Sequence, residues 1–378
     1  MKGDKYLSYA ILLQSLLAII QLVLPMYGIA SVERTATLRV LATVIIFLPG
    51  IFVVLRRNSK SLFLPFVLYF MLLFVHYLIF PASHTFIESS KSITLTPINI
   101  LTGIFAYNMR SLEEFKRTFL IVSRLSVPVA VIFIWGHLNS PFFIEEKGYD
   151  MSFGYTLLLP TLFLFTQNNA VDKVMSLLIW ALIVFCASRG PAVVVVVFYV
   201  ISVLFYSRKR KIKIWQVAIF VALIGVGFAL LPKYLDFESS RTVMLFESSE
   251  VLSHDSNRNV LYARALNYIW ESPVIGNGIG SDWYYMGGYC HNIYLELSLH
   301  YGIIVSTLFC LFFLCLCFVI YRNKSVVSIT ENKQLLLLII IAGIMPLLVS
   351  SSYLLNVNFG LTLGYLLRYK MNRKIIAE

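Results

Sequence analysis

Apolar runs of about 20 residues recur along the whole chain, and a helix of that length spans the hydrocarbon core of a bilayer. Runs bounded by Pro, Gly or charge fall at 6–24, 37–55, 61–80, 93–109, 118–137, 151–167, 173–188, 191–207, 214–231, 292–320, 334–350 and 353–367. They predict an all-α polytopic integral membrane protein, a single transmembrane domain over 1–378 with about 12 transmembrane helices. Composition agrees: 59% of residues are apolar and 13% charged, where a soluble domain has ~25% charged. A soluble globular domain, a disordered chain and a collagen-like chain are thereby excluded. Five cysteines are too few for a disulfide framework. They show no metal-ligand spacing, and four of them lie in apolar runs as small fillers. The first run is longer than a signal-peptide core and lacks a cleavage site, so it is expected to stay as a span.

Charge sets the orientation. With the N-terminus inside, alternate loops collect 22 of the 31 Lys and Arg residues, whereas 13 of the 19 Asp and Glu residues fall on the other side. The positive-inside rule then predicts an even number of spans with both termini cytoplasmic. It also accounts for the formal charge of +12 without nucleic acid as a partner. One connection is out of proportion. Residues 232–291 form a large external loop, and loops of that length in compact folds are usually functional. Within it, Arg258 to Trp270 reads as an interfacial helix and Ser272-Pro273 through Gly280 as an irregular Gly-rich turn.

Polar groups gathered at one face of an apolar protein mark candidate chemistry. Ser188-Arg189-Gly190-Pro191 is the first such group. Gly190 suits a helix C-terminus and Pro191 the first turn of the next helix, which predicts a tight outer turn with Arg189 at headgroup depth. A snorkelling helix anchor is the bland alternative for that arginine. Arg258 and Arg264 come next, six residues apart and therefore on different helix faces, Arg258 with Tyr262 and Arg264 with Tyr268. Each is a candidate phosphate contact. The third group is His291-Asn292, where Asn292 as N-cap places His291 beside the positive end of a helix dipole. That field favours the neutral ring, the form a general base needs. Ser298, Gly302 and Ser306 repeat every four residues and predict a small-residue packing face.

Taken in order, Ser188-Arg189-Gly190, Arg258, Pro273-Val274-Ile275-Gly276-Asn277-Gly278 and His291-Asn292 followed by Gly302 resemble the bacterial O-antigen polymerase and O-antigen ligase superfamily. The resemblance spans roughly residues 180 to 320. It implies a membrane glycosyltransferase fold related to the C-type superfamily, set in the bacterial inner membrane with its active site facing the periplasm. It further implies metal-independent transfer, with no cofactor, of a glycan from an undecaprenyl diphosphate carrier to an acceptor hydroxyl. By the same resemblance His291 is the catalytic base, Arg189 and Arg258 bind the diphosphate with Arg264 as a further substrate-binding candidate, and the partners are membrane lipids and a chain-length regulator. Two positions depart from the pattern. Tyr262 stands where Trp often follows the arginine, and His300 stands where an acidic residue often precedes the glycine, which implies an unusual acceptor pocket.

The chemistry agrees with these residue types on its own terms. A sugar diphosphate already carries a good leaving group, so no carboxylic acid is needed to protonate it, unlike glycoside hydrolysis. What remains is to deprotonate a hydroxyl and to neutralise charge on the diphosphate, tasks for one neutral histidine and a few arginines. Arginine suits phosphate because its planar fork donates bidentately and keeps its charge. Trp283, Tyr284 and Tyr285 are candidates for stacking on sugars, with an interfacial aromatic belt as the alternative. Polymerase and ligase differ in the acceptor, a lipid-linked repeat unit or lipid A core, and polymerase is the expectation. A lipid-linked oligosaccharide flippase or transporter is the competing class. It is disfavoured because the two halves show no repeat and because His76 and Glu296, the deepest ionisable candidates, lie near span ends.

Overall fold

The computed structural model describes residues 2–138, 151–186, 189–206, 258–322 and 330–377, and among them every regular element is helical. The expected span 214–231, residues 232–257 of the large loop and Ser188 lie outside the described residues. The helices are α1 (Lys2–Met26), α2 (Val32–Ile79), the single turn α3 (His84–Ile87), α4 (Ser90–Asn108), α5 (Leu112–Leu138), α6 (Met151–Thr166) and α7 (Ala170–Phe185). They continue with α8 (Arg189–Tyr206), α9 (Arg258–Glu271), α10 (Ser281–Met286), α11 (Ile293–Arg322), α12 (Thr330–Val349) and α13 (Val357–Ala377). Among the described residues four stretches are long and apolar enough to cross a membrane, Gly3–Met26, Val32–Ile79, Leu112–Gly136 and Ile293–Ile320, and three shorter apolar helices accompany them.

Proline marks fewer boundaries than expected. Pro49, Pro65, Pro97, Pro128, Pro160 and Pro346 all sit inside helices, where membrane helices tolerate them through neighbouring helices and local adjustment. The spans expected at 37–55 and 61–80 are divided by one non-helical residue, Asn58. Its side-chain oxygen accepts from the Ser61 N–H at 3.3 Å and so starts the second half. The span expected from 353 begins four residues later, because Asn356 caps α13 through the N–H groups of Asn358 and Phe359. The span expected at 292–320 is broken at Gly302.

Lipid tails are as apolar as leucine, so close packing rather than burial from water must hold these helices together. Against α13, α4 comes nearest: a Cβ on Gly364 would lie 2.0 Å from the Gly103 carbonyl oxygen, and one on Gly360 2.2 Å from that of Asn99. The outward faces of α2 and α11 expose Leu41, Ile45, Phe52, Phe74, Leu308 and Phe312, as a lipid-facing surface requires.

Polar contacts define two ends. Asp4 pairs with Arg57 at 2.8 Å and accepts from the Arg110 N–H, while Arg57 and Arg368 donate to the carbonyls of Asn108 and Arg110. The N-terminus, the turns after Arg56 and Asn108, and the basic stretch of α13 therefore meet at one end. Residues 272–292 and 350–356 meet at the other.

Candidate active site

The segment between α9 and α11 is built on glycine. Gly276, Gly278, Gly280 and Gly302 all have positive φ, a region closed to most side chains. A Cβ on Gly276 would sit 2.6 Å from the backbone of His300 and Gly302, and one on Gly302 would sit 2.2 Å from the Val274 oxygen. The Gly-rich turn thus lies directly on the break in α11. Backbone bonds fasten it there: Asn277 N–H donates to Leu299 O at 2.7 Å, Gly278 N–H to His300 O at 3.1 Å, and Ile303 N–H to Pro273 O at 2.8 Å. This explains the spacing between His291 and Gly302 in physical terms. Gly302 is therefore a bend rather than part of a straight packing face, and Ser298 and Ser306 meet across it at 2.8 Å.

Two histidines extend the fastening. The Ile279 N–H donates to His76 Nδ1 at 2.9 Å, and the Gly280 N–H donates to His300 Nε2 at 3.2 Å. His300 also meets Asp282 at 3.0 Å and Tyr353 at 2.9 Å, and Tyr353 donates to Tyr301. Glu296 accepts from the Ser352 hydroxyl. Asp282, Glu296 and His300 are completely buried, with ligand atoms within 4.8 Å of one another, the donor set of a divalent-cation site that linear spacing did not suggest. Asp282 Oδ2 and Glu296 Oε2 have no hydrogen-bond partner. His300 does not open onto an acceptor pocket, as its departure from the family pattern had implied. It is an internal pin for the loop, His76 is a pin of the same kind, and Glu296 ties α11 to Ser352.

His291 sits one residue before the N-cap of α11. Asn292 accepts from the N–H groups of Tyr294 at 3.0 Å and Leu295 at 3.3 Å, as the sequence predicts. Among the described residues His291 is the non-glycine residue with positive φ, at 57°, and such strain concentrates at functional sites. Its ring packs on Tyr289 with centroids 4.5 Å apart, and the Ser350 carbonyl accepts from it. The Tyr289 hydroxyl donates to the same carbonyl at 3.3 Å. Burial first, then the Arg258 guanidinium, holds the His291 imidazole below its ordinary pKa, against Ser350 and the Asp282 carboxylate, which favour the charged form. The neutral ring is the resting form at neutral pH, as the helix-dipole argument expects.

Arg258 opens α9 and makes no ion pair among the described residues. The helix lies as expected, with Ala265 and Ile269 buried against Cys290 and Leu299. Arg264 is exposed and is absent from the groups that act on His291. The Arg189 turn differs from expectation. Rather than capping the preceding helix, Gly190 lies in the first turn of α8, which begins at Arg189. Its missing Cβ matters for another reason: that atom would stand 2.3 Å from the Tyr155 hydroxyl and 3.5 Å from Ser350 Oγ. Tyr155 and Ser350 are hydrogen-bonded through their hydroxyls. The fold thus brings the start of α8, Tyr155, Ser350, Tyr289, His291 and Arg258 into one neighbourhood. Tyr155, Tyr289 and Ser350 carry no motif and were not singled out by sequence. In the aromatic triplet, Trp283 lies under the Lys91 ammonium at 3.9 Å, Tyr285 stacks on Tyr268 and Tyr284 is exposed.

No curated protein and no solved structure matches the chain. A family model described as O-antigen ligase does match it, over residues 174–310, the stretch that carries Arg189, Arg258, the Gly-rich turn, His291 and Gly302. That match bears out the resemblance to the O-antigen polymerase and ligase superfamily drawn from the motifs.

Proposed function

We propose that the chain is a surface-polysaccharide polymerase of the bacterial inner membrane, with twelve spans, both termini cytoplasmic and the His291 end facing the periplasm. It transfers a glycan from an undecaprenyl diphosphate carrier to a hydroxyl of a lipid-linked repeat unit. The observation that carries this reading is the neutral, strained His291 held between Arg258 and the Ser350 carbonyl inside the matched segment. His291 takes the proton of the acceptor hydroxyl as the oxygen attacks the anomeric carbon and the carbon–oxygen bond to the diphosphate breaks. Arg258 and Arg189 neutralise the departing diphosphate by charge-assisted hydrogen bonds. Trp283 is engaged by Lys91 and Tyr285 by Tyr268, so exposed Tyr284 is the member of the triplet most open to a sugar ring. An apolar groove of about 970 Å³ between α2, α4 and α13, with Tyr301 and Tyr353 in its wall, offers the isoprenoid tail a path beside the site.

The match to a family described as O-antigen ligase favours a second reading, ligation of finished polymer to lipid A core. Reconstitution in liposomes with undecaprenyl diphosphate-linked repeats, with and without lipid A core, separates the two. Lengthening of the lipid-linked chain without core is the expected result. Product formed only on lipid A core would establish ligation, and relocation of the substrate with no new glycosidic bond would establish a flippase. The loop-fastening roles of His76 and Glu296 speak against that last outcome.

A further inference from the structure

On the other side of Tyr155 lies a second polar feature. A cavity of about 210 Å³ is lined by α1, α2, α4, α5, α6 and the start of α13. Arg39, Gln14, Tyr155, Ser351, Asn356 and Asn358 are its polar residues of interest, and among the described residues no Asp or Glu lines it. Arg39 lies seven residues into α2, about 10 Å below the helix end at 1.5 Å per residue. A charge at that depth in an apolar helix is costly and needs a reason. Its guanidinium donates to Gln21 Oε1 at 2.7 Å and meets no carboxylate among the described residues.

The remaining groups have the same polarity. Gln14 is 5% exposed, its Oε1 accepts from Thr43, and its Nε2 is buried without a partner. Asn356, Val357 and Asn358 bring the N-terminus of the 21-residue α13 to the cavity wall; Asn356 takes the N–H groups of Asn358 and Phe359, and the dipole of the helix still favours an anion at that end. A buried donor left unmade costs about 1–3 kcal/mol, so the cavity is built for something that accepts. The cavity also adjoins the candidate active site. Tyr155 lines it and bonds to Ser350, Ser351 lines it, and the Ser350 carbonyl meets His291.

We propose that this cavity is a second anion site, and that it takes the phosphate-bearing headgroup of the acceptor lipid while Arg258 serves the donor. The identity of the ligand rests on the transferase reading above, in which both substrates of a polymerase carry a diphosphate. The guanidinium fork and the helix N-terminus suit phosphate oxygens. Arg39 and Gln14 bind the headgroup and stand apart from the chemistry at His291.

Equilibrium binding of tritiated undecaprenyl diphosphate to the full-length protein in zwitterionic nanodiscs tests this. Wild type should bind two equivalents. Arg39→Ala and Gln14→Leu should each weaken one of them about 10- to 100-fold, the loss expected for charge-assisted or buried donors. Arg258→Ala should weaken the other, and the equivalent that survives in each variant shows that it is folded. In turnover, Arg39→Ala should raise the acceptor KM and leave kcat and the donor KM unchanged. Two undiminished equivalents in Arg39→Ala and Gln14→Leu would overturn the cavity site. A single wild-type equivalent lost only with Arg258 would overturn it while leaving the transferase reading intact. Loss through Arg39 with no effect of Arg258 would sustain the cavity and sink the donor assignment. If inorganic pyrophosphate displaces the Arg39-dependent equivalent as well as the lipid does, the ligand is a free phosphate and the headgroup assignment fails.

Discussion

Arg258→Gln removes a charge that does two separable things. Its guanidinium opens α9 without an ion-pair partner among the described residues, and it helps to hold the His291 ring neutral. Losing the charge-assisted contacts to a diphosphate should cost about 1.5–3 kcal/mol, or roughly 10- to 100-fold in donor affinity. The effect on His291 has the opposite handle. With the cation gone, burial alone depresses the imidazole, against the Ser350 carbonyl and Asp282, which favour its charged form. The pKa therefore rises toward the ordinary histidine value. The base works as the neutral ring, so activity is present above its pKa and is lost as pH falls through it. In Arg258→Gln the acid limb of kcat/KM, which reports the free enzyme, should move to higher pH. Arg258→Lys should keep the wild-type limb, because charge is retained, yet lose donor affinity, because an ammonium lacks the bidentate fork. Arg264→Ala should leave both quantities near wild type. The measurement is kcat/KM and donor Kd across mildly acid to neutral pH for protein in nanodiscs. An acid limb that stays in place in Arg258→Gln, or moves to lower pH, refutes the coupling between the two residues.

Removing the imidazole itself, as in His291→Ala, should lower kcat by ~10²–10⁴ while donor binding persists; a donor Kd that collapses would recast His291 as a phosphate ligand. Gly302→Ala puts a Cβ 2.2 Å from the Val274 oxygen at a φ of 83°. Backbone in a region open essentially to glycine at ~1–3 kcal/mol and overpacking at ~1–3 kcal/mol predict a marked fall in Tm, and an unchanged Tm would mean the Gly-rich turn is not clamped on the bend. His300→Leu removes the hydrogen-bond partner of the buried Asp282 Oδ1, and a buried polar group left unsatisfied costs about 1–3 kcal/mol. Asp282→Asn added to His300→Leu should recover part of that stability, and no recovery would show that the pair is not coupled.

Periodicity and charge were the legible parts of this molecule. Apolar runs located the helices because a membrane leaves the backbone few alternatives, and the basic residues predicted to share one side do converge, as Arg57, Arg110 and Arg368 show. Asn292 as N-cap and the helix from Arg258 were legible for local reasons, since capping and helix formation depend on near neighbours. Gly190 and Gly302 were misread because their reason is tertiary. Each glycine is required by another segment's approach, Tyr155 in one case and Val274 in the other, and linear spacing carries no trace of either. The same holds for His300, whose environment is assembled from residues 280, 282 and 353.

Arg39 makes the sharper case. As a count it was one basic residue at the edge of a span, adding nothing to the orientation argument. Its meaning appears only when α1 supplies an unpartnered amide, α13 supplies a helix N-terminus and no described residue supplies a carboxylate. Arg57 and Arg124 find carboxylate partners within 3.0 Å. Arg258 and Arg39 do not, and they stand on either side of the Tyr155–Ser350 contact. Two cations without a carboxylate partner among the described residues, flanking one neutral base, form the arrangement expected of a site that brings two anionic lipids together.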